Sequence, residues 1–339
     1  MLAGRAAVLF ALALALAGGV VAAQQEPTFR SGTHTVAVYV TVLDATGRLV
    51  PDLTKDDFEV FDDDTPQPIR VFANDVRPIT IVIMLDRSGS MVGNFDLERS
   101  AAVQFVANLL PADKARLGSF SNRIQIDPEG FTTDHDELIR ILYENLQDGG
   151  PTPLWNAASA AMTALAHQDD RRVVLILTDG YDNPARPTAN VTFPEVRDRA
   201  EAEEIMVYGI GMSDACSASA ADLMDGQASP AFQSRGLGRG RGGMGRGGRG
   251  MNGGGCTDDK PDPHLQELAA SSGGGYFSLQ PTDDLGATFT RVANELHHQY
   301  LLGFTATTLD GKVHRLEVRV RKPDLTPRAR RSYVAPIGR

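Results

Sequence analysis

The sequence predicts a doubly wound α/β domain inserted in a small β-sandwich that the N- and C-terminal segments form together. Residues 77–298 alternate apolar runs with amphipathic helical stretches, which is typical of a doubly wound, Rossmann-like α/β sheet. Residues 33–76 and 299–335 alternate polar and apolar side chains, which is typical of half-buried strands. The predicted order along the chain is therefore β, then α/β, then β.

The N-terminal β segment is predicted to contain three strands. Every second residue from Val36 to Val42 is a valine, so residues 34–43 are expected to form a strand with one apolar side. A turn at 44–47 follows, and shorter strands are predicted at 58–61 and 69–72. Such short strands are too few to close a core alone.

The central part is predicted to contain buried strands separated by helices. The strands are expected at 81–85, 118–120, 173–177, 207–210 and 276–277, and the helices at 97–110, from 133 onward, and at 156–166, 195–204, 264–270 and 284–298. Capping and acidic residues at 133–137 favour a helix start there.

The C-terminal β segment shows the same alternation as the N-terminal one. Strands are predicted at 299–306, 313–321 and 330–334, with a turn at 310–311. Leu316, Val318 and Val320 form an apolar side that needs a partner face. We therefore expect the two β segments to pair into one sandwich, because together they supply enough strands for two sheets.

The first residues have the pattern of an export signal. Arg5 is followed by an uncharged apolar run at 6–21, and Val21-Ala22-Ala23 supplies the small residues that a signal peptidase cleaves. We predict a signal peptide at residues 1–23 and a secreted or periplasmic protein, with no later segment apolar enough to span a membrane. The alternative is an uncleaved N-terminal membrane anchor, because the run is about long enough to cross a bilayer.

Residues 213–262 are predicted to be a Gly/Arg-rich insertion, because the stretch 236–255 cannot bury enough apolar surface to fold. Cys216 and Cys256 are the two cysteines of the chain and bracket this stretch. In an oxidising compartment we predict a disulfide between them, the alternative being two unrelated thiols. The formal charge of −10 and the lack of aromatic residues in the stretch argue against nucleic acid, so the loop is either merely solvated or contacts a surface polymer.

Three polar clusters follow or flank the predicted strands. They are Asp86-Arg-Ser-Gly-Ser90, Gly149-Gly-Pro-Thr-Pro-Leu-Trp-Asn156 and Thr178-Asp-Gly180. Ligands of open α/β sheets bind at the carboxyl ends of the strands, and hydroxyl and carboxylate oxygens are the ligands that Mg²⁺ prefers. A shell rich in hydroxyl groups leaves the cation under-neutralised, so it would take an anionic ligand from outside.

This residue set resembles the metal-ion-dependent adhesion site of von Willebrand factor A domains, with Asp-x-Ser-x-Ser followed by a distant threonine and a distant aspartate. The resemblance implies that Ser88, Ser90 and Thr152 coordinate the cation directly, while Asp86 and Asp179 act mostly through water. The implied cofactor is Mg²⁺, with Mn²⁺ or Ca²⁺ as alternatives. The implied partner is a protein that presents an aspartate or glutamate.

Further segments resemble a bacterial family of exported proteins related to this domain, and the resemblance covers nearly the whole mature chain. These segments are Val38–Asp44, Asp56–Phe61, Phe131–Asp134, Gln299–Phe304 and Asp310–Arg315. Two features depart from the family: the Gly/Arg insertion, and Arg87, which stands where the motif commonly has a small or hydroxylated residue. Neither departure removes a ligand, although Arg87 is placed to tune the potential of the site.

The expected function is a metal-dependent protein-binding or adhesion module, and no enzyme is expected. The sequence has no Gly-x-Ser-x-Gly motif, and no histidine adjoins Ser88 or Ser90. The alternative is a structural scaffold of a cell-envelope assembly that does not use the metal. Trp155 is either a partner anchor or a packed residue, and His297-His298 is either a transition-metal pair or a solvated helix end.

Overall fold

The computed structural model describes residues 34–146, 149–186, 190–213, 261–280 and 282–338. The described strands are β1 Thr35–Asp44, β2 Phe58–Asp62, β3 Thr65–Gln67, β4 Val71–Ala73, β5 Ile79–Asp86, β6 Lys114–Phe120, β7 Ile124–Thr132, β8 Arg171–Thr178, β9 Met206–Met212, β10 Tyr276–Leu279, β11 Tyr300–Thr305, β12 Val313–Val320, β13 Leu325–Arg328 and β14 Ser332–Val334. The described α-helices are α1 Phe95–Ala107, α2 His135–Glu144, α3 Leu154–Leu165, α4 Phe193–Ala202, α5 Pro263–Ser272 and α6 Leu285–His297, and short 3₁₀ helices span Lys55–Asp57 and Ser90–Asn94.

A six-stranded sheet with the order β10-β9-β8-β5-β6-β7 forms the centre of the α/β part. Its strands are parallel except β7, which pairs antiparallel with β6. Alternate residues of β5 point to opposite faces, so Ile81 and Ile83 pack with α1, α2 and α6, whereas Val82 and Met84 pack with α3, α4 and α5. Every residue of β5 is buried, as expected of a strand that is covered on both faces.

The strand order places a topological switch point between β5 and β8. From β5 the chain continues to β6 and β7 on one side of the sheet, and it then returns to β8 and β9 on the other side. Ligands in open α/β sheets bind outside the carboxyl ends of the strands at such a point. Polar residues end both strands here, Asp86 in β5 and Thr178 in β8.

Two four-stranded sheets combine N-terminal with C-terminal strands, in the orders β13-β1-β11-β4 and β14-β12-β2-β3. The registers include Val318 opposite Val60 between β12 and β2. The two sheets share one core that contains Val38, Val60 and Phe304. Val38 is fully buried, which stabilises the fold by about 1.5–3 kcal/mol for a side chain of this size. The predicted fold class, an α/β domain inserted in a sandwich built from both ends of the chain, is therefore confirmed.

The structure adds three strands that the sequence pattern did not predict, namely β3, β7 and β13. Each of them lies at an edge of its sheet. The prediction of three strands in each β segment is therefore wrong, because β1 to β4 and β11 to β14 give each segment four described strands.

Polar contacts join the α/β part to the sandwich. Arg171 Nη1 at the start of β8 donates to Gln299 Oε1 over 3.1 Å, and Arg330 Nη1 lies 2.8 Å from Glu204 Oε1. Arg328 forms an ion pair with Glu295, whose side chain is fully buried. The two parts are therefore held together by buried polar groups as well as by the chain connections.

Several predictions concern residues outside the described ranges. The signal peptide at 1–23, Cys216, Cys256 and most of the insertion at 213–262 all fall there, and they stay predictions together with the domain boundaries. Among the described residues, no helix is long and apolar enough to cross a membrane.

Candidate metal centre

Asp86 is the last residue of β5 and is fully buried. Its Oδ1 accepts a hydrogen bond from the backbone N–H of Ser88 over 2.8 Å, and its Oδ2 accepts one from Thr178 Oγ1 over 2.5 Å. The Thr178 hydroxyl in turn accepts the N–H of Gly180. Asp86 thereby ties the loop after β5 to the end of β8.

Hydroxyl groups connect the same loop to Asp179. Ser88 Oγ lies 3.1 Å from Ser90 Oγ, and Ser90 Oγ donates to Asp179 Oδ1 over 2.8 Å. Ser88 and Asp179 are buried, whereas Ser90 is exposed. The cluster therefore extends from the interior of the sheet edge to the surface.

Thr152 joins the cluster from the segment before α3. Its N–H donates to Asn183 O over 3.0 Å, and its carbonyl accepts the N–H of Asn183 over 2.8 Å. The Thr152 Oγ1 lies 3.7 Å from the position that a Cβ atom on Gly180 would occupy, which places this hydroxyl beside the Asp179-Gly180 turn. Backbone bonds between Gly89 and Gly150 and between Gly149 and Arg87 hold the two loops side by side.

The structure thus brings the five predicted residues, Asp86, Ser88, Ser90, Thr152 and Asp179, to one edge of the sheet at the switch point. The donor set consists of oxygen atoms only, which suits a hard divalent cation. Burial raises the pKa of Asp86 above its usual range, and the donors that oppose this shift are the neutral groups of Thr178 and Ser88. A buried carboxylate bonded only to neutral donors fits a cation supplied from outside.

Arg87 points away from this cluster into a buried ion pair. Its Nη1 lies 3.2 Å from Glu98 Oε2 on α1, and its guanidinium covers the ring of Phe95 at 3.4 Å from the centroid. Both charged side chains are nearly inaccessible to solvent. Burial raises the pKa of Glu98 well above its usual value, with the charges of Asp86 and Asp179 adding to the rise and Arg87 opposing it.

Sequence reasoning missed Glu98, because an acidic residue early in a helix is usually solvated and favours the helix dipole. Glu98 lies three residues after Phe95 and one turn before Ala101 and Ala102, which are buried. This spacing would have indicated that Glu98 lies on the inner face of α1.

Two alternatives left open by the sequence are settled by packing. Trp155 is 4% exposed and lies 5.3 Å from the ring of Phe193, so it is a packed residue. His297 Nε2 lies 2.7 Å from Asp113 Oδ2 in a buried pair, while His298 Nδ1 donates to its own helix at Asn294 O. The two histidines therefore do not form one metal site, and the expected solvated helix end is wrong for His297, which is buried.

A second polar cluster, not predicted from the sequence, lies in the sandwich. His314 Nδ1 is 2.8 Å from Asp62 Oδ1 and 3.4 Å from Asp63 Oδ2, and Tyr333 Oη donates to Asp62 Oδ2 over 2.9 Å. His314 Nε2 lies 3.2 Å from Asp310 Oδ1. The signal was present in the sequence, because His314 shares the apolar side of β12 with Leu316 and is buried like it.

The fold and the cluster define an α/β domain with an oxygen-rich site at the switch point of its sheet. Residues 81–181, which include all five predicted site residues, match the model of the von Willebrand factor type A domain family. This part of the chain is therefore similar to a von Willebrand factor type A domain. No curated protein sequence matches the chain.

Several solved structures match the chain at low sequence identity. Proximal thread matrix protein 1 from the mussel byssus is 13% identical with a TM-score of 0.46, and the match covers 70% of this chain and 51% of that one. The chain thus spans about half the length of the mussel protein. A von Willebrand factor type A protein from Catenulispora acidiphila is 10% identical with a TM-score of 0.46, covering 91% and 76%. The corresponding domain of the type V pili tip protein Mfa5 from Porphyromonas gingivalis is 13% identical with a TM-score of 0.43, covering 65% and 95%.

Proposed function

We propose that this protein is an exported binding module that captures a carboxylate of a partner protein through a divalent cation. The observation that carries the proposal is the convergence of Asp86, Ser88, Ser90 and Asp179 through hydrogen bonds at one edge of the sheet. These residues and Thr152 would hold Mg²⁺ or Mn²⁺.

The composition of the donor set supports capture of an anion. Three of its five side chains are neutral hydroxyls, and the two carboxylates are buried behind them at 0% and 1% exposure. A bound cation would supply positive charge and a coordination position for an acidic group. Because Ser90 is exposed, an aspartate or glutamate on a partner can reach the cluster.

Metal binding is tested first, by titration calorimetry of the purified protein with Mg²⁺ and with Mn²⁺. We expect one site per chain, and we expect Asp179→Ala to remove it. Asp96→Ala is the matched control, because this aspartate lies nearby at the start of α1 but is 91% exposed and belongs to no part of the cluster. If Asp179→Ala binds either metal as well as the unaltered protein does, the site assignment is wrong.

Partner capture is tested on the native envelope fraction, with captured proteins identified by mass spectrometry. Capture should require Mg²⁺ and should be lost with a chelator and in Asp86→Ala. Replacing candidate aspartates and glutamates of a captured partner by asparagine and glutamine should abolish binding. If capture is unchanged by the chelator and by Asp86→Ala, the domain acts as a metal-independent scaffold instead.

Export depends on residues 1–23, which we propose to be a cleaved signal peptide. N-terminal sequencing of the protein recovered from outside the cytoplasm should begin at Gln24. Recovery of the intact N-terminus in the membrane fraction would indicate an uncleaved anchor.

A further inference from the structure

A cavity of about 40 Å³ lies at the edge of the six-stranded sheet opposite to the candidate metal centre. Arg171 and Arg172 line it from the start of β8, Tyr39 from β1, and Arg330 and Ser332 from the C-terminal part of the sandwich. The cavity therefore lies where the α/β part meets the sandwich. It shares Ala37, Tyr39, Arg171, Arg172 and Glu204 with a larger open groove of about 530 Å³, through which small solutes can enter.

The lining carries an excess of positive charge. Three arginines and two glutamates line the cavity, and one of the glutamates, Glu204, is already paired with Arg330 over 2.8 Å. Arg171 instead donates to neutral acceptors, to Gln299 Oε1 over 3.1 Å and to Leu296 O, and its guanidinium lies 5.1 Å from the centroid of the Tyr39 ring. Arg172 donates to the backbone carbonyl of Glu203. Arg171 and Arg172 are thus both without a direct counter-charge, and the net charge of the lining is +1.

The positive charge of Arg171 is energetically unfavourable because its side chain is buried. The pKa of the Arg171 guanidinium is lowered from its usual value by burial, and Asp113, the nearby carboxylate that opposes this shift, is itself bound to His297 over 2.7 Å. A buried charge without a partner is unfavourable, so such a site gains stability from an anion that supplies one.

Three polar atoms of the lining residues are buried without a hydrogen-bond partner. They are Arg171 Nε, Arg330 Nε and Ser332 Oγ. The Arg330 side chain is 10% exposed and uses Nη1 and Nη2 for Glu204 and for Ala37 O, which leaves its Nε–H as a free donor. Buried polar groups normally find a partner. All three residues line the same cavity.

We propose that this cavity binds a small anion, of the size of chloride or formate, through Arg171, Arg330 and Ser332. Its volume suits about three water molecules, which excludes larger organic anions. Water alone would satisfy the three polar atoms but would leave the charge of Arg171 uncompensated. The bound anion would bridge the α/β part and the sandwich and would stabilise their junction.

The test compares thermal unfolding of the full chain in sodium chloride, sodium formate and sodium gluconate at one ionic strength, with a chelator present so that no metal is involved. Gluconate is too large for the cavity. We expect the unfolding midpoint to rise with chloride or formate concentration but not with gluconate. Line broadening of ³⁵Cl in nuclear magnetic resonance should report binding to the folded protein, and formate should reverse it.

Arg171→Gln is expected to weaken chloride binding by about tenfold or more, as for loss of a charge-assisted hydrogen bond. Arg321→Gln is the matched control, because Arg321 pairs with Glu59 and is 60% exposed. Ser332→Ala provides a second variant that keeps all charges and is expected to weaken binding less. Equal midpoints in the three salts together with unbroadened ³⁵Cl signals would show that the cavity holds only water and would overturn the proposal.

Discussion

Two regions of this protein contain a buried aspartate at the end of a strand. The groups that compensate the charge of the carboxylate differ between the two regions. In the sandwich, Asp62 is bonded to His314 and to the hydroxyl of Tyr333, so a titratable imidazole and a neutral donor share its charge. At the candidate metal centre, Asp86 is bonded to the N–H of Ser88 and the hydroxyl of Thr178, both of them neutral. The sandwich cluster therefore contains its own base that can take up a proton, whereas the metal centre fits a cation from solution.

Arg87 follows Asp86 directly in the chain, so it is the residue whose positive charge could compensate the Asp86 carboxylate in place of a metal ion. Its guanidinium is committed to Glu98 on the inner side of α1, with Glu98 fully buried. When both groups are charged, the Arg87–Glu98 pair has no net charge. It therefore connects the loop after β5 to α1 without neutralising the carboxylates of the metal centre.

The largest expected effect is that of Arg87→Ala. Glu98 would be left buried without its counter-charge, and the free energy of unfolding should fall by about 3–5 kcal/mol. The double variant Arg87→Met with Glu98→Leu should recover most of that loss, and its affinity for Mg²⁺ should stay close to that of the unaltered protein. Urea unfolding and calorimetry measure the two quantities. An unchanged stability combined with a large change of Mg²⁺ affinity would mean that Arg87 acts on the metal centre itself.

Replacing the buried aspartate by asparagine should change the stability of the protein in opposite directions in the two regions. Asp86→Asn removes a buried charge bonded to neutral donors, so the metal-free protein should become equally or more stable. The stabilisation by Mg²⁺ should disappear, which is about 2.7 kcal/mol at a hundred times the dissociation constant. Asp62→Asn should instead destabilise the protein with or without Mg²⁺, because His314 and Tyr333 both lose the buried carboxylate that they share. Thermal unfolding with Mg²⁺ and with a chelator measures both. A loss of stability in metal-free Asp86→Asn would contradict the proposal that the charge of Asp86 is uncompensated without a metal ion.

The central sheet and the site loops could be predicted because their signals are local. Apolar runs such as Ile81–Leu85 identify buried strands, and the polar residues that follow them must meet at one edge when the strands are parallel. The pairing of the two β segments was also predictable, since neither has enough strands to bury its apolar side alone.

The missed strands share one physical cause. β3, β7 and β13 contain Pro66, Pro128 and Pro327, and proline within a strand pattern argues against a central strand. Each of these strands lies at an edge of its sheet, where one side of the backbone needs no ladder bond. The contacts of Arg87 with Glu98 and of His314 with Asp62 could not be predicted, because they join residues whose distance depends on the packing of separate elements.

The His314 cluster should make stability depend on pH in a definite direction. The hydrogen bond that His314 donates to Asp62 raises the pKa of His314 above its usual value of 6.5, with Asp310 and Asp63 adding to the rise. A raised folded-state pKa means that the contribution is complete below about pH 6.5 and is lost as pH rises through the folded value. Burial, with the hydrogen bond to Asp62 adding to it, raises the pKa of Tyr333, which therefore stays a neutral donor in this range.

His314→Gln should abolish that pH step and should lower stability at pH 6 by about 2 kcal/mol, the scale of a hydrogen bond to a charged group. Urea unfolding at a series of pH values, with a chelator present, measures both effects. His167→Gln is the control, because this histidine is exposed. A pH step that persists in His314→Gln would assign it to another group.

The smallest effect is expected from deleting residues 217–255 between the two cysteines. Both flanks are fixed at the edge of the sheet that carries the metal centre: Ser213 N donates to Leu279 O over 2.9 Å, and Asp262 caps α5 by accepting from His264 N over 3.0 Å. Because shortening a connection changes its closure entropy only slowly, the stability should stay within about 1 kcal/mol of the unaltered protein. The Mg²⁺ affinity should also be unchanged, since the five site residues lie outside the deleted stretch. Calorimetry and thermal unfolding test this, and a thiol assay on the unreduced full chain should find no free sulfhydryl if Cys216 and Cys256 are bonded. Loss of cooperative unfolding in the deletion variant would show that the insertion belongs to the folded domain.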